Sequence, residues 1–223
     1  MNSSNNIKNI FFDFDGVIAE SVSAKTEAFR EMYLPYGKDI ANQVVDYHIQ
    51  FGGVSRFEKF KYWEKHFFNK IISEERVAEL ANQFSKLVID KVINSEEVPG
   101  ALNFIKKYSN KLNFWIITGT PTTEIKVIAK ERGLDNYFKG IHGSPNNKCY
   151  WTEYLINSYK LTRQETLFLG DTSTDYDAAI FSKLHFALRE TDENKAIFQK
   201  YKGHRFKDFL EFDKLFKTNF NLL

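Results

Sequence analysis

Ile10-Phe11-Phe12-Asp13-Phe14-Asp15-Gly16-Val17-Ile18 is an apolar run that ends on two aspartates, one residue apart, with a glycine next. Read as a buried strand, the run delivers both carboxylates to its C-terminal edge. Residues i and i+2 of a strand share a face, so Asp13 and Asp15 start on the same side. Gly16 lets the chain turn sharply. Two acids held together repel each other unless a cation or a proton intervenes. The stretch therefore predicts a metal site, an acid/base site, or both.

Beyond this first strand, read at about 7–14, the pattern becomes helical. Helices are expected over Ala24 to Tyr33, Ile40 to Gln50, Arg56 to Phe68 and Glu74 to Val92, with no strand among them. After Pro99-Gly100 the rhythm alternates. Strands are expected at Asn113 to Thr118, about 138–142, Thr166 to Leu169 and 184–188, separated by helices at about 99–109, 122–133, 150–159 and 174–183. Alternating strands and helices predict a parallel sheet covered on both faces. Its strands read as apolar runs, as Phe114-Trp115-Ile116-Ile117 and Leu167-Phe168-Leu169 do. The expected fold class is α/β, a Rossmann-like parallel core with a helical cap inserted after the first strand. Residues 1–20 and 96–223 would form the core and 21–95 the cap. The tail from 190 is charged, then aromatic and amphipathic, and is expected to dock on the core.

Four polar motifs fall where strands are expected to end, the place where open α/β sheets bind ligands. They are Asp13-Phe14-Asp15-Gly16, Thr118-Gly119-Thr120-Pro121, Gly143-Ser144-Pro145-Asn146-Asn147-Lys148 and Gly170-Asp171-Thr172-Ser173-Thr174-Asp175. The second combines a hydroxyl with backbone amides entering a helix, an anion cradle. The third presents an ammonium, and the fourth adds carboxylates. Hard oxygen donors suit Mg²⁺ better than zinc or copper. A carboxylate can attack phosphorus, a lysine can offset the phosphoryl charge, and a second acid can move protons. Each motif alone is commonly a turn, a cap or a solvated side chain. The four together, in order, point to phosphoryl chemistry.

The bulk properties agree. The chain has 223 residues, 43% hydrophobic and 27% charged, with 22 Phe and 11 Tyr. Its 31 basic and 29 acidic residues give a net charge of +2, no general case for nucleic acid or an anionic membrane. A single cysteine, Cys149, excludes an internal disulfide. Met1-Asn2-Ser3-Ser4-Asn5-Asn6 has no apolar signal core, and no apolar run reaches the roughly 18–20 residues of a membrane span. A cytoplasmic monomer or small homo-oligomer is expected.

On these four motifs the chain resembles the haloacid dehalogenase-like superfamily, over nearly its whole length. It is most similar to the capped phosphatase and phosphomutase branch. The resemblance implies that Asp13 is the nucleophile and Asp15 the general acid/base. Thr118, with the backbone of Gly119 and Thr120, would bind the transferring phosphoryl group, and Lys148 would neutralise it. Mg²⁺ would be held by Asp13, the Asp15 carbonyl and Asp171, with Asp175 in support, near the metal or paired with Lys148. Dehalogenases of this superfamily generally lack the second aspartate, so Asp15 favours phosphoryl transfer on a small phosphorylated metabolite such as a sugar phosphate or phosphoglycolate.

Gly52-Gly53-Val54-Ser55-Arg56 resembles the cap loop of beta-phosphoglucomutases, in which the matching arginine contacts the non-transferring phosphate. Two readings stand side by side: Ser55 and Arg56 bind substrate, or Ser55 caps a helix and Arg56 is solvated. Those mutases carry a histidine where this chain has Lys25, and the third motif departs too, with Asn147 before Lys148 and no proline after it. Hydrolysis is therefore expected over a phosphomutase, with a non-enzymatic phosphoaspartate switch as a third reading. Lys25 is read as a solvated helix residue, His142 as a side chain near the third motif, Cys149 as a small apolar residue, and Trp63 with its neighbouring Phe residues as packing for the cap itself.

Overall fold

The computed structural model describes residues 5–221. At its centre is β2 (Asn9–Phe12), buried along its whole length. It is hydrogen-bonded in parallel to β3 (Asn113–Pro121) on one side and to β5 (Thr166–Gly170) on the other. Outside these lie β4 (Gly140–Ser144) and β6 (His185–Arg189), and β7 (His204–Phe206) closes the far edge. The six-stranded order is β4-β3-β2-β5-β6-β7, and all its pairings are parallel. The strand order reverses beside β2, so a crevice opens there at the C-terminal strand ends. A separate two-stranded pair joins β1 (Asn5–Asn6) to β8 (Phe220–Asn221).

Rings fill the sheet faces. Phe11 meets Trp115 and Phe168 edge-on at 5.6 and 6.1 Å, and Phe12 meets Phe114 at 5.1 Å on the opposite face. Such edge-on pairs add to the area they bury. The first strand is shorter than expected because the chain turns at once: the Phe14 carbonyl accepts from the amides of Val17, Ile18 and Ala19. Gly16, at φ 73°, serves that turn.

Four α-helices occupy residues 22–93, between β2 and α5: α1 (Val22–Tyr33), α2 (Lys38–Gln50), α3 (Arg56–Phe68) and α4 (Glu74–Ile93). Caps set their ends. Ser55 accepts from the Glu58 amide and Ser73 from the Arg76 amide, and Asn69 ends α3 in the left-handed region. Phe29, Phe60, Trp63 and Phe84 form their shared core, with Phe29 and Phe84 stacked at 4.0 Å. The segment leaves and returns at one point. Val98 donates to Ile18 and Glu20 to Glu96, both at 2.9 Å, so the two connecting strands run side by side.

The remaining helices are α5 (Ala101–Tyr108), α6 (Thr122–Glu131), α7 (Lys148–Tyr159), α8 (Ser173–Phe181) and α9 (Phe209–Asn219). The tail docks as expected, and it also adds β7, which the charged composition of 190–207 conceals. Phe209, Phe212 and Phe216 of α9 surround Phe104 of α5 at 5.1 to 5.6 Å. Phe212 is fully buried. Phe212→Ala is expected to cost about 3–5 kcal/mol in chemical denaturation, since the cavity it leaves is walled by other rings and collapses poorly.

Candidate active site

Asp13 follows β2, and its amide still donates to Leu169 of β5. The residue is 4% exposed, with Oδ2 2.6 Å from the Lys148 ammonium and Oδ1 accepting from the Phe14 amide at 2.7 Å. Lys148 is the first residue of α7, whose Asn147 cap accepts from Tyr150. The same ammonium reaches Asp175 Oδ1 at 2.6 Å. The other oxygen of Asp175 accepts from the Thr172 amide and hydroxyl, in a capping box that starts α8. Asp171, at the end of β5, approaches from the other side. A Cβ on Gly16 would stand 2.2 Å from its Oδ2, so only glycine fits there. Its Oδ1 is buried with no hydrogen-bond partner.

Asp13, Asp171 and Asp175 bring ligand atoms within 4.8 Å of one another. Burial, opposed by Lys148 and helped by Asp175 and Asp15, pushes Asp13 up to about 7. Burial and the Asp13 charge push Asp171 well above the carboxylate range. On Lys148 burial acts downward, but the charges of Asp13 and Asp175 overcome it and hold the ammonium above its ordinary value. A cluster so rich in buried negative charge, with an orphan oxygen aimed into it, fits a hard divalent cation. Both oxygens of Asp175 are already engaged. Those of Asp13 are engaged as well, by Lys148 and the Phe14 amide, whereas Asp171 Oδ1 has no partner among the described residues.

Asp15 has a different environment. Ser21 donates to its Oδ1 at 2.6 Å, and Lys25 and Thr120 donate to its Oδ2. Burial works against its charge, yet Lys25, Ser21 and Thr120 hold the carboxyl below its usual range. The two acids of the first motif are thus driven in opposite directions by their surroundings. Lys25 is not solvated as expected: α1 carries it to Asp15 and to Thr120 Oγ1 at 2.7 Å, 12% exposed. Thr120 also departs from expectation. Its amide donates to Thr118 Oγ1 at 3.3 Å and its hydroxyl serves Asp15, so neither is free for a phosphoryl group.

Asp13, Asp15, Thr118, Gly119 and Asp171 share the wall of a 390 Å³ cavity with residues of the helical segment. The loop at Gly53 lies on the strand ends: a Cβ on Gly119 would meet the Gly53 carbonyl at 3.0 Å, and one on Gly53 would clash with Thr174 Oγ1 at 1.8 Å. Ser55 stands outside this wall as the cap of α3. Arg56 is not solvated: it lines the cavity wall but is engaged by a carboxylate of the protein. It is 5% exposed and bound through two nitrogens to Glu124 of α6 at 2.6 and 2.8 Å, with Ser85 of α4 donating to the same carboxylate. His142 packs on Trp151 at 4.4 Å, away from the cavity. Lys59 lines the cavity without having been singled out in the sequence, and His48, one of five scattered histidines with no metal-ligand spacing, lines it too. The available signal was spacing: Arg56 and Lys59 sit three apart on the helix face that also carries Phe60 and Trp63.

Two expected outcomes follow from the charges. Glu124→Ala leaves the Arg56 guanidinium buried and unpaired, and is expected to cost about 3–5 kcal/mol in denaturant melts. Asp13 holds its proton more tightly folded than unfolded. Its contribution to stability is full below the ordinary value of 3.8 and lost as pH rises through about 7. A divalent cation competes with that proton, so Mg²⁺ should raise Tm more near pH 8 than near pH 5. Equal shifts at both pH values, or none, would rule out these carboxylates as the metal site.

The family of haloacid dehalogenase-like hydrolases matches residues 7–181. No curated protein matches the chain in sequence. Among solved structures, a beta-phosphoglucomutase from Clostridium difficile aligns with TM-score 0.75 at 20% identity, covering 96% of this chain and 97% of its own. A predicted phosphoglycolate phosphatase from Haemophilus somnus 129pt gives 0.71 at 20% identity, covering 94% and 97%. CbbY from Rhodobacter sphaeroides, in complex with xylulose-(1,5)bisphosphate, gives 0.73 at 13% identity, covering 92% and 96%. These likenesses are of fold, and the sequence match supplies the family: the chain belongs to the haloacid dehalogenase-like hydrolases.

Proposed function

We propose that the protein is a Mg²⁺-dependent phosphatase that hydrolyses a small phosphorylated metabolite through an aspartyl-phosphate. The observation that carries this reading is the meeting of Asp13, Asp171 and the Lys148 ammonium at the strand ends, with Asp15 on the same cavity wall. Asp13 sits beside the Lys148 ammonium and an orphan Asp171 oxygen, the setting of a nucleophile whose charge is balanced by cations. Asp15 is held ionised beside hydroxyls, the setting of a proton carrier.

Asp13 and Asp171 would hold the cation, with the Asp15 backbone carbonyl. Bound Mg²⁺ would offset the charge on the phosphoryl oxygens. An Asp13 oxygen attacks phosphorus and the ester P–O bond breaks; Asp15, ionised at rest, takes up a proton from solvent or from the incoming phosphate monoanion and delivers it to the leaving oxygen. Water then attacks the phosphoaspartate and gives its proton back to Asp15, the Asp13–phosphorus bond breaks, and phosphate is released. Thr118 would bind the phosphoryl group, and Lys148 keeps Asp13 aimed. Residues 21–95 act as a cap that excludes bulk water, moving about the paired connections at Glu20-Ser21 and Val98-Pro99-Gly100.

Two features favour hydrolysis over a phosphomutase. Arg56 is engaged by Glu124, and Lys25 stands beside Asp15 where the mutases carry histidine. A persistent phosphoaspartate switch would need neither a proton carrier nor an enclosed cavity. The test is phosphate release from a panel of sugar phosphates, phosphoglycolate and nucleotides with added Mg²⁺. Asp13→Asn is expected to abolish turnover without lowering Tm, and Asp15→Asn to slow it by about 10²–10⁴-fold. Full activity in Asp13→Asn would overturn the mechanism. Isomerisation of a hexose 1-phosphate without free phosphate would favour the mutase.

A further inference from the structure

Four cations line the cavity: Lys25, Arg56, Lys59 and Arg189. Three are paired, Lys25 with Asp15, Arg56 with Glu124 and Arg189 with Glu20. Lys59, among the described residues, has no carboxylate partner. Its Nζ meets His48 Nδ1 at 2.6 Å and the Gly52 carbonyl at 3.3 Å, with the Phe29 ring 5.7 Å away. Lys59 is 1% exposed and His48 5%, and His48 Nε2 is buried with no partner of its own.

This arrangement is unbalanced. A buried ammonium without a counter-ion is unfavourable. Burial, together with the charges of Lys25, Arg56 and Lys148, presses Lys59 towards losing its proton. His48 offers it a neutral acceptor and no charge, since burial and Lys59 hold the imidazole well below its usual range. Yet the pair faces a cavity of 390 Å³, room for a metabolite of a few carbons. Asp13 and Thr118 bound that cavity from the strand ends, and His48, Lys59 and Phe84 bound it from the helical segment. An oxyanion entering from the cavity would supply the missing charge.

We propose that Lys59, positioned by His48, recognises a second oxyanion group, carboxylate or phosphate, on the substrate whose phosphoryl group Asp13 receives. This rests on the phosphoryl-transfer reading above. It separates two cations on one helix: Arg56 ties the helical segment to α6 through Glu124, while Lys59 contacts substrate.

The test uses paired esters that differ in one charged group: 3-phosphoglycerate against glycerol 3-phosphate, 2-phosphoglycolate against 2-hydroxyethyl phosphate, and fructose 1,6-bisphosphate against fructose 6-phosphate. The intact enzyme is expected to favour the anionic member of at least one pair by about tenfold in kcat/KM, the usual worth of one charge-assisted contact. Lys59→Met should remove that preference through KM of the anionic member, while Lys59→Arg retains most of it. A preference that survives Lys59→Met, or an equal fall on both members, overturns the proposal. So does the absence of any preference in the intact enzyme, a result that stands whether or not the variants fold. Calorimetric binding of the same pairs to Asp13→Asn, with and without Lys59→Met, needs no turnover. A tenfold tighter anionic member that depends on Lys59, in a protein that hydrolyses none of the esters, would keep the Lys59 subsite and sink the phosphatase reading. Equal binding of both members of every pair would sink the subsite.

Discussion

Negative charge gathered at one point of the sheet is the constraint on which the rest of this structure depends. β2 and β5 are adjacent and parallel, so their C-terminal ends bring Asp13 and Asp171 together, and the first turn of α8 adds Asp175. Uncompensated, three buried carboxylates would not remain ionised together. Lys148 is the protein's own answer. It arrives from the start of α7, reaches two of the three acids, and leaves Asp171 with an oxygen that none of the described residues satisfies. The unsatisfied atom is the strongest physical argument for a cation, since buried polar atoms in folded proteins rarely go without partners.

A second balance of charge governs the contact between the helical segment and the sheet. Arg56 and Glu124 form a two-bond pair across that boundary, and Lys25 reaches from α1 to Asp15 and Thr120. The backbones at Gly53 and Gly119 come close enough that a side chain on either would intrude. Ion pairs between large bodies orient them more than they stabilise them, because the desolvation of both partners offsets much of the attraction. Their value here is register: the wall carrying Lys59 and His48 is set opposite the wall carrying Asp13.

The family and the sheet were legible in the sequence because both depend on local patterns. Apolar runs ending in Asp, Thr or Gly-Asp mark strand ends, and helical periodicity placed α3 at Arg56–Phe68 without adjustment. Boundaries elsewhere moved by a few residues where caps and turns, not periodicity, decide them. The losses have another origin. Lys25 and Arg56 read as solvated or substrate-facing because their partners, Asp15 and Glu124, are brought to them only by folding. Lys59 and His48, eleven residues apart on different helices, carry no joint signature until α2 and α3 pack. Strand β7 was hidden because a short edge strand such as His204–Phe206 needs no apolar alternation.

The paired connections at Ile18–Val98 and Glu20–Glu96 have a further consequence. A mostly helical segment, residues 22–93, joins the sheet through one narrow ribbon, whose two strands enter and leave within a single hydrogen bond of each other. The sheet therefore feels the same anchorage whatever lies beyond the ribbon, and α1 to α4 are free to lengthen, shorten or be exchanged without strain on β2 or β3. Substitutions in the helical segment need not be matched by substitutions in the sheet, except at residues such as Asp15, Glu124 and Gly119, where the two touch.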